Sequence, residues 1–308
     1  MTKLKIKSVY SFIFAISGRN HLLAKHVCTI ESALRYANIS RVVVALTSSN
    51  LHVTANNVTC QLYKKYTNQG LIFRYVDTNS IFKNTKLETV HETNTLELQT
   101  TKNQDGGVGL SKEQVAKVHY SDAIRLVLIY KYGGFYSDLD VIFLKSINQF
   151  KNIVGCDDVS TQIKEEITGK KLTNAIFHFE AKHPFISSCI ENFVHSFDGS
   201  WASGGPKLFQ QVFYNVCQQN QDVCSDMTLL PSKYFFPVPW YEAVLLFEKK
   251  PKEYWDELFR ESYAVHLYDS SVNGKRTKKI HKSKFFGKQM PSLTYLSIDH
   301  CPIALNSQ

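Results

Sequence analysis

Residues 112–140 constrain the fold more than any other stretch, because they prescribe a helix, its stop, a buried strand and two carboxylates in fixed succession. Ser111 with Gln114 has the spacing of a capping box, and Val115, Val118, Leu126 and Ile129 recur at helical intervals as far as Tyr132. Gly133 and Gly134 follow, where a helix C-terminus favours a residue that tolerates left-handed backbone. The spacing predicts one helix over 112–132. Asp122 and Arg125 lie three apart on it and are therefore neighbours; taken alone they form a helix-surface ion pair of little energetic weight. Phe135-Tyr136 and Val141-Ile-Phe-Leu144 read as short buried strands on either side of Asp138 and Asp140. In an extended chain, side chains two apart point the same way, so both carboxylates can face one ion. Hard oxygen ligands of this kind suit Mn²⁺ or Mg²⁺ rather than a thiol-bound zinc.

The preceding residues alternate strand and helix. Strands are expected at 8–16, 41–46 and 71–76, separated by helices near 21–37 and 57–66. That is the βαβ rhythm of a parallel sheet, with a ligand at its carboxyl edge. The run Val9-Tyr-Ser-Phe-Ile-Phe-Ala-Ile16 behind Lys3, Lys5 and Lys7 imitates a signal peptide, but it is too short to span a bilayer and is taken as the first core strand. Residues 84–110 are polar and read as a loop; beyond 151, helices at 184–197, 205–218 and 251–259 mix with short strands. With 308 residues, 44% of them hydrophobic and 13% aromatic, the chain can bury a sizeable core. No repeat or linker divides it.

The net charge of +9 and the basic run Lys275-Arg-Thr-Lys-Lys-Ile-His-Lys-Ser-Lys284 raise the question of a nucleic-acid partner. No nucleic-acid-binding module accompanies that run, so it reads as a solvated loop able to lend a lysine to a diphosphate or to rest on an anionic membrane surface. Nucleic acid is not expected as a partner. The seven cysteines show no CxxC pair; Cys217 and Cys224 can close a short disulfide loop or remain buried thiols. Asn38-Ile-Ser40 and Asn57-Val-Thr59 fit the glycosylation sequon, which has meaning only in a secretory compartment.

Six segments, in order, resemble the α1,4-glycosyltransferase family. They are Cys28-Thr-Ile-Glu-Ser-Ala33, the Ser121-Asp-Ala-Ile-Arg125 to Asp140 unit, Thr173-Asn-Ala-Ile-Phe-His-Phe-Glu180, Gly204-Gly-Pro-Lys-Leu208, Phe236-Pro-Val-Pro-Trp240 and Tyr263-Ala-Val-His-Leu-Tyr268. The resemblance implies a GT-A-like, Rossmann-like α/β sheet flanked by helices. It implies a single catalytic domain over 1–308, with a nucleotide-sugar half over about 8–150 and an acceptor half over about 151–308. The implied activity is retaining, metal-dependent transfer of galactose, N-acetylgalactosamine or N-acetylglucosamine from a UDP-sugar to the 4-hydroxyl of a glycolipid or glycan. Family members are type II proteins of the Golgi lumen. No anchor is visible ahead of Val9, so either a truncated or a soluble chain is expected.

The same resemblance distributes roles. Asp138 and Asp140 would hold Mn²⁺ or Mg²⁺, and His266, in an apolar run, would be the third ligand, with Tyr268 standing where the family pattern has Trp. Asp122 and Arg125 would bond the donor sugar, while Asn174 and Gly205 would line the pocket. No nucleophile is assigned: Glu180 lies near the motifs but fits a core-edge salt bridge equally well, and a same-face path needs none. Ala15-Ile16, Ser137 and Ala175 depart from the family pattern. The rival classes are a silent sugar-binding relative and a phosphatase that uses Asp-x-Asp.

Overall fold

A computed structural model describes residues 11–16, 22–38, 40–47, 58–92, 112–158, 170–196, 198, 200, 202–217, 219, 221–268 and 289–306. The chain opens with three parallel strands, β1 (Ser11–Ile16), β2 (Arg41–Leu46) and β3 (Leu71–Tyr75), joined through α1 (Ala24–Tyr36) and α2 (Val58–Tyr66). Short helices α3 (Thr78–Ile81) and α4 (Leu87–Glu92) precede α5 (Lys112–Tyr132), which returns the chain to β4 (Gly134–Ser137) on the other side of β1. A small strand β5 (Val141–Phe143) follows, then β6 (Ile153–Asp158) and β7 (Lys170–Phe179). Beyond these come α6 (Pro184–Ser196), α7 (Pro206–Val212), β8 (Thr228–Leu230), α8 (Ser232–Phe235), β9 (Lys250–Pro251) and α9 (Lys252–Leu258). Last are β10 (Ala264–His266), β11 (Gln289–Met290), α10 (Ser292–His300) and α11 (Pro302–Asn306).

The GT-A-like α/β sheet flanked by helices is present. Among the described residues it has seven strands in the order β3-β2-β1-β4-β7-β6-β8. The parallel pairing expected from the βαβ rhythm of the first three strands is present in β1, β2 and β3, whereas β7, beyond them, runs antiparallel to both β4 and β6. A residue-level alternation could not show this, because both faces of these strands are covered and they read as continuous apolar runs.

Strand periodicity sorts the core onto two faces. Phe135 and Ile176 pack with α1, β5, β10 and the C-terminal helices, whereas Tyr136 and Phe177 pack with α5, α6 and α7. Residues 122–129 of α5 are buried without a break, which a surface helix does not show. The helix ends where expected: Gly133 has φ +67°, its N–H bonds Ile129 O at 2.8 Å, and a Cβ there would sit 2.7 Å from Ala181 N. The capping-box Ser111 and the basic run 275–284 lie outside the described residues, as do 93–110 of the expected loop; 87–92 of that loop are helical. Cys28–Cys301 joins α1 to the start of α11, and Cys217–Cys224 closes the short loop.

Candidate functional site

Strand order reverses between β1 and β4, and in open α/β sheets ligands bind at the carboxyl ends of strands at such a point. β4 ends at Ser137, so the two carboxylates emerge there. They do not sit on extended chain as the spacing suggested; residues 139–140 form a turn. Three different elements pin that turn. Asp138 N donates to Ala175 O of β7 at 2.8 Å, Thr29 Oγ1 of α1 donates to Leu139 O at 2.9 Å, and Leu267 N beyond β10 donates to Asp140 O at 2.8 Å. Ala175 and Ser137, which depart from the family pattern, serve through Ala175 O and through the Ser137 hydroxyl bonding Asp138 O at 3.0 Å.

On the α5 face, two-residue periodicity carries Asp138 to the same side as Tyr136, toward the helix. Asp138 Oδ1 accepts from Tyr136 Oη at 2.9 Å and from Arg125 Nη1 at 2.9 Å. Arg125 also donates to Asn174 O at 2.8 Å and approaches Asp122 Oδ1 at 3.2 Å, with its guanidinium 4.6 Å from the centre of the Tyr136 ring. Asp122 is buried and accepts from Asn174 Nδ2 at 2.8 Å. The surface ion pair is thereby corrected: both groups lie inside, and burial of charge requires this degree of pairing. Burial acts against the Arg125 charge, but Asp138, Tyr136 and Asp122 together hold the guanidinium firmly protonated.

The opposite side of the turn faces β10. His266 is the register partner of Val141, which sets its ring beside Asp140, with Nε2 3.1 Å from Asp140 Oδ1. One ligand atom from each of Asp138, Asp140 and His266 lies within 4.8 Å of the others. Two carboxylate oxygens and an imidazole nitrogen at that separation fit a divalent ion of the Mn²⁺ or Mg²⁺ kind, for which ligand bonds are near 2 Å. The electrostatics agree. Burial, with Asp140 adding to it, pushes the Asp138 carboxyl up although Arg125 draws it down, and Asp140 raises the His266 imidazole although burial opposes it. Two carboxylates and an imidazole this close together and this far from water are costly to keep charged, a cost that a bound cation would relieve.

Asn174 and Gly205 also meet. A Cβ on Gly205 would fall 2.7 Å from Asn174 Nδ2, so only the bare backbone lets α7 begin against that amide. Next to it, Gly204 faces His119 Nδ1, which stands 3.7 Å from Asp122 Oδ2. Glu180 does not join them. It is exposed and follows Phe179, the partner of Gly134 at the far end of β4, about 13 Å away by strand rise from Asp138. Of the residues sequence reasoning passed over, Tyr136 and His119 had signals in their spacing from Asp138 and Asp122. Asp157 of β6 had none, yet it is buried beside Tyr268 and His266.

Residues 178–307 match the family model described as alpha 1,4-glycosyltransferase conserved region, and residues 24–157 match the glycosyltransferase sugar-binding region containing DXD motif. Lactosylceramide 4-alpha-galactosyltransferase of Rattus norvegicus is 29% identical over 270 residues, spanning 85% of this chain and 68% of the relative. The enzyme of that name from Pongo pygmaeus is 30% identical over 187 residues, spanning 59% of this chain and 78% of the relative. Alpha-1,4-N-acetylglucosaminyltransferase of Homo sapiens is 32% identical over 158 residues, spanning 48% of this chain and 42% of the relative.

Proposed function

The chain belongs to the α1,4-glycosyltransferase family and is a glycosyltransferase, and from that premise we propose that it moves a hexose from a UDP-sugar to the 4-hydroxyl of a glycolipid or glycan with retention of configuration. Galactose, N-acetylgalactosamine and N-acetylglucosamine are the candidate sugars. The observation that carries the reading is the convergence of Asp138, Asp140 and His266 on one point beside the buried Asp122–Arg125 pair.

In this reading Asp138, Asp140 and His266 hold Mn²⁺ or Mg²⁺. When bound, the ion supplies Lewis-acid neutralisation of the departing diphosphate. Asp122, Arg125 and Asn174 form the wall that accepts and donates hydrogen bonds to the donor sugar, and Gly205 lets Asn174 keep its place. Glu180 takes no part, and a same-face path in which the leaving diphosphate accepts the acceptor's hydroxyl proton needs no protein nucleophile. The phosphatase alternative loses its support because Asp138 Oδ1, its would-be nucleophile, is committed to Arg125 and Tyr136. Two disulfides support an oxidising compartment such as the Golgi lumen. No helix among the described residues is long and apolar enough to cross a membrane.

Release of UDP from UDP-Gal, UDP-GalNAc and UDP-GlcNAc, with and without Mn²⁺, is the test, run beside Asp140→Ala and over an acceptor panel analysed for linkage. Metal-dependent release from one donor, lost in the variant and giving an α1,4 product, is the expected result. Donor binding without turnover identifies the silent relative, and neither binding nor turnover ends the transferase reading.

A further inference from the structure

The sequons at Asn38 and Asn57 take no part in the site, and the structure treats them differently. Asn38 lies in the turn from α1 to β2, one residue past Ala37, whose N–H closes the helix on Ala33 O at 3.1 Å. Its backbone has φ +53°, in the left-handed region that asparagine enters more readily than most side chains. Both polar members of this sequon, Asn38 and Ser40, are exposed. In the other sequon Asn57 lies outside the described residues, and Thr59 is only 1% exposed on α2. A threonine so placed belongs to the packed face of its helix, and a glycan is not needed to account for it.

The turn around Asn38 is fixed while the residue itself stays outside. Ile147 N, beyond β5, donates to Ala37 O at 3.3 Å, and Val42 N donates to Gly70 O at 2.9 Å. Gly70, ahead of β3, comes so close that a Cβ on it would stand 2.5 Å from Ser40 O. Backbone on both sides of Asn38 is therefore packed against neighbouring segments. An N-linked glycan is bulky and hydrated, and an exposed turn on a firm base is where it can be carried without disturbing the core.

The same turn lies away from the metal cluster. Arg41 is level with Ser11 in the β1–β2 register and Tyr136 is level with Ile13 in the β1–β4 register, so Asp138 leaves the sheet about 13 Å beyond Arg41 by strand rise. Asn38 precedes Arg41, at the amino edge of the parallel strands, whereas the carboxylates emerge at the carboxyl edge. A glycan at Asn38 leaves the approach of donor and acceptor open.

We propose that Asn38 carries an N-linked glycan. This rests on the reading of an oxidising, secretory compartment, which the Cys28–Cys301 and Cys217–Cys224 bridges support independently of the sequon. The co-substrate is a lipid-diphosphate-linked oligosaccharide. The Asn38 side-chain nitrogen bonds the anomeric carbon of its first sugar, the bond from that carbon to the diphosphate oxygen breaks, and the amide gives up one proton as the lipid diphosphate leaves with the electron pair. The Ser40 hydroxyl is what marks Asn38 as the acceptor.

The protein isolated from the tissue that makes it is alkylated without reduction, treated with peptide N-glycosidase in heavy-oxygen water and mapped by mass spectrometry. The full chain is also secreted from cultured animal cells as wild type, Asn38→Gln and Ser40→Ala. Ser40→Ala removes the hydroxyl but keeps asparagine in its left-handed position, so a folding defect in Asn38→Gln does not hide the answer. The expected result is deamidation with heavy-oxygen uptake at Asn38 in the native protein, and one downward step in gel mobility in both variants that enzymatic deglycosylation of the wild type reproduces. An unmodified Asn38 in native protein whose two bridges are formed overturns the proposal and leaves the compartment reading standing. So does a Ser40→Ala chain that migrates with the glycosylated wild type. An unmodified Asn38 in native protein whose cysteines are all reduced removes the compartment reading and this site with it.

Discussion

His266 Nε2 stands 3.1 Å from Asp140 Oδ1 although the two residues are 126 positions apart in the chain. The contact follows from one register choice, Val141 opposite His266 in the β5–β10 pair, reinforced by Leu267 N bonding Asp140 O. Sliding that register by one residue would turn the imidazole to the other face and dismantle the cluster.

Asp140→Ala and His266→Ala should each weaken Mn²⁺ binding by roughly 10–100-fold or more while leaving the fold intact, since both residues lie at the sheet's edge. Calorimetric titration of Mn²⁺ into the metal-free variants measures this. Wild-type affinity in His266→Ala would exclude the imidazole as a ligand.

Arg125 faces both Asp138 and Asp122 in a buried setting. Arg125→Leu leaves those carboxylates without their partner and should lower stability by roughly 3–5 kcal/mol. Arg125→Lys keeps the charge but loses the fork that reaches Asp138 and Asn174 together, so its loss should be smaller. Urea unfolding of both variants reads the difference, and a loss under about 1 kcal/mol in Arg125→Leu would show that the pairing is dispensable.

The disulfides should differ in weight. Cys28–Cys301 spans a sequence separation of 273 and Cys217–Cys224 one of 7. Loop-closure entropy then assigns about 5.6 kcal/mol to the first and about 2.4 kcal/mol to the second. Paired Cys→Ser substitutions, compared by denaturation midpoint, should rank in that order. Cys60, Cys156 and Cys189 are buried and lie outside both disulfides, so thiol reagents should reach them only on unfolding.

Burial raises the Asp157 carboxyl to about 6. The folded chain therefore binds this proton more tightly than the unfolded chain, and the associated stability is complete below about pH 4 and lost as pH rises through about 6, by about 3 kcal/mol. Asp157→Asn should remove that slope. Unfolding free energies between pH 4 and 7 in a chelating buffer test it; parallel profiles for variant and wild type would refute the assignment.

A methyl group on Gly205 has no room beside the Asn174 amide. Gly205→Ala should displace Asn174 from Asp122 at a cost of roughly 1–3 kcal/mol and raise donor KM with little change in Mn²⁺ affinity. Equal loss of both would indicate a general collapse of the site.

Much of this site was legible because its parts are local. The helix periodicity, Gly133 as its stop and the Asp138–Asp140 spacing are short-range features, and the backbone geometry converts them directly into structure. The burial of Asp122 and Arg125 was not legible, since a charged pair three residues apart looks the same on an exposed face as on a covered one. Asp157 had no pattern around it at all; its importance comes from Tyr268, which reaches it from another strand pair.

The sequence by itself determined the α/β class, the helix–glycine–strand unit and the residue types able to hold a divalent ion, because dihedral preferences and side-chain periodicity act over a few residues. The tertiary structure alone decided that β7 runs antiparallel, that Cys28 bonds Cys301, and that His266 and Arg125 approach the same turn from opposite sides. Those contacts depend on strand register and on which face packs inward, and both are settled only when distant segments compete to bury the same apolar surface.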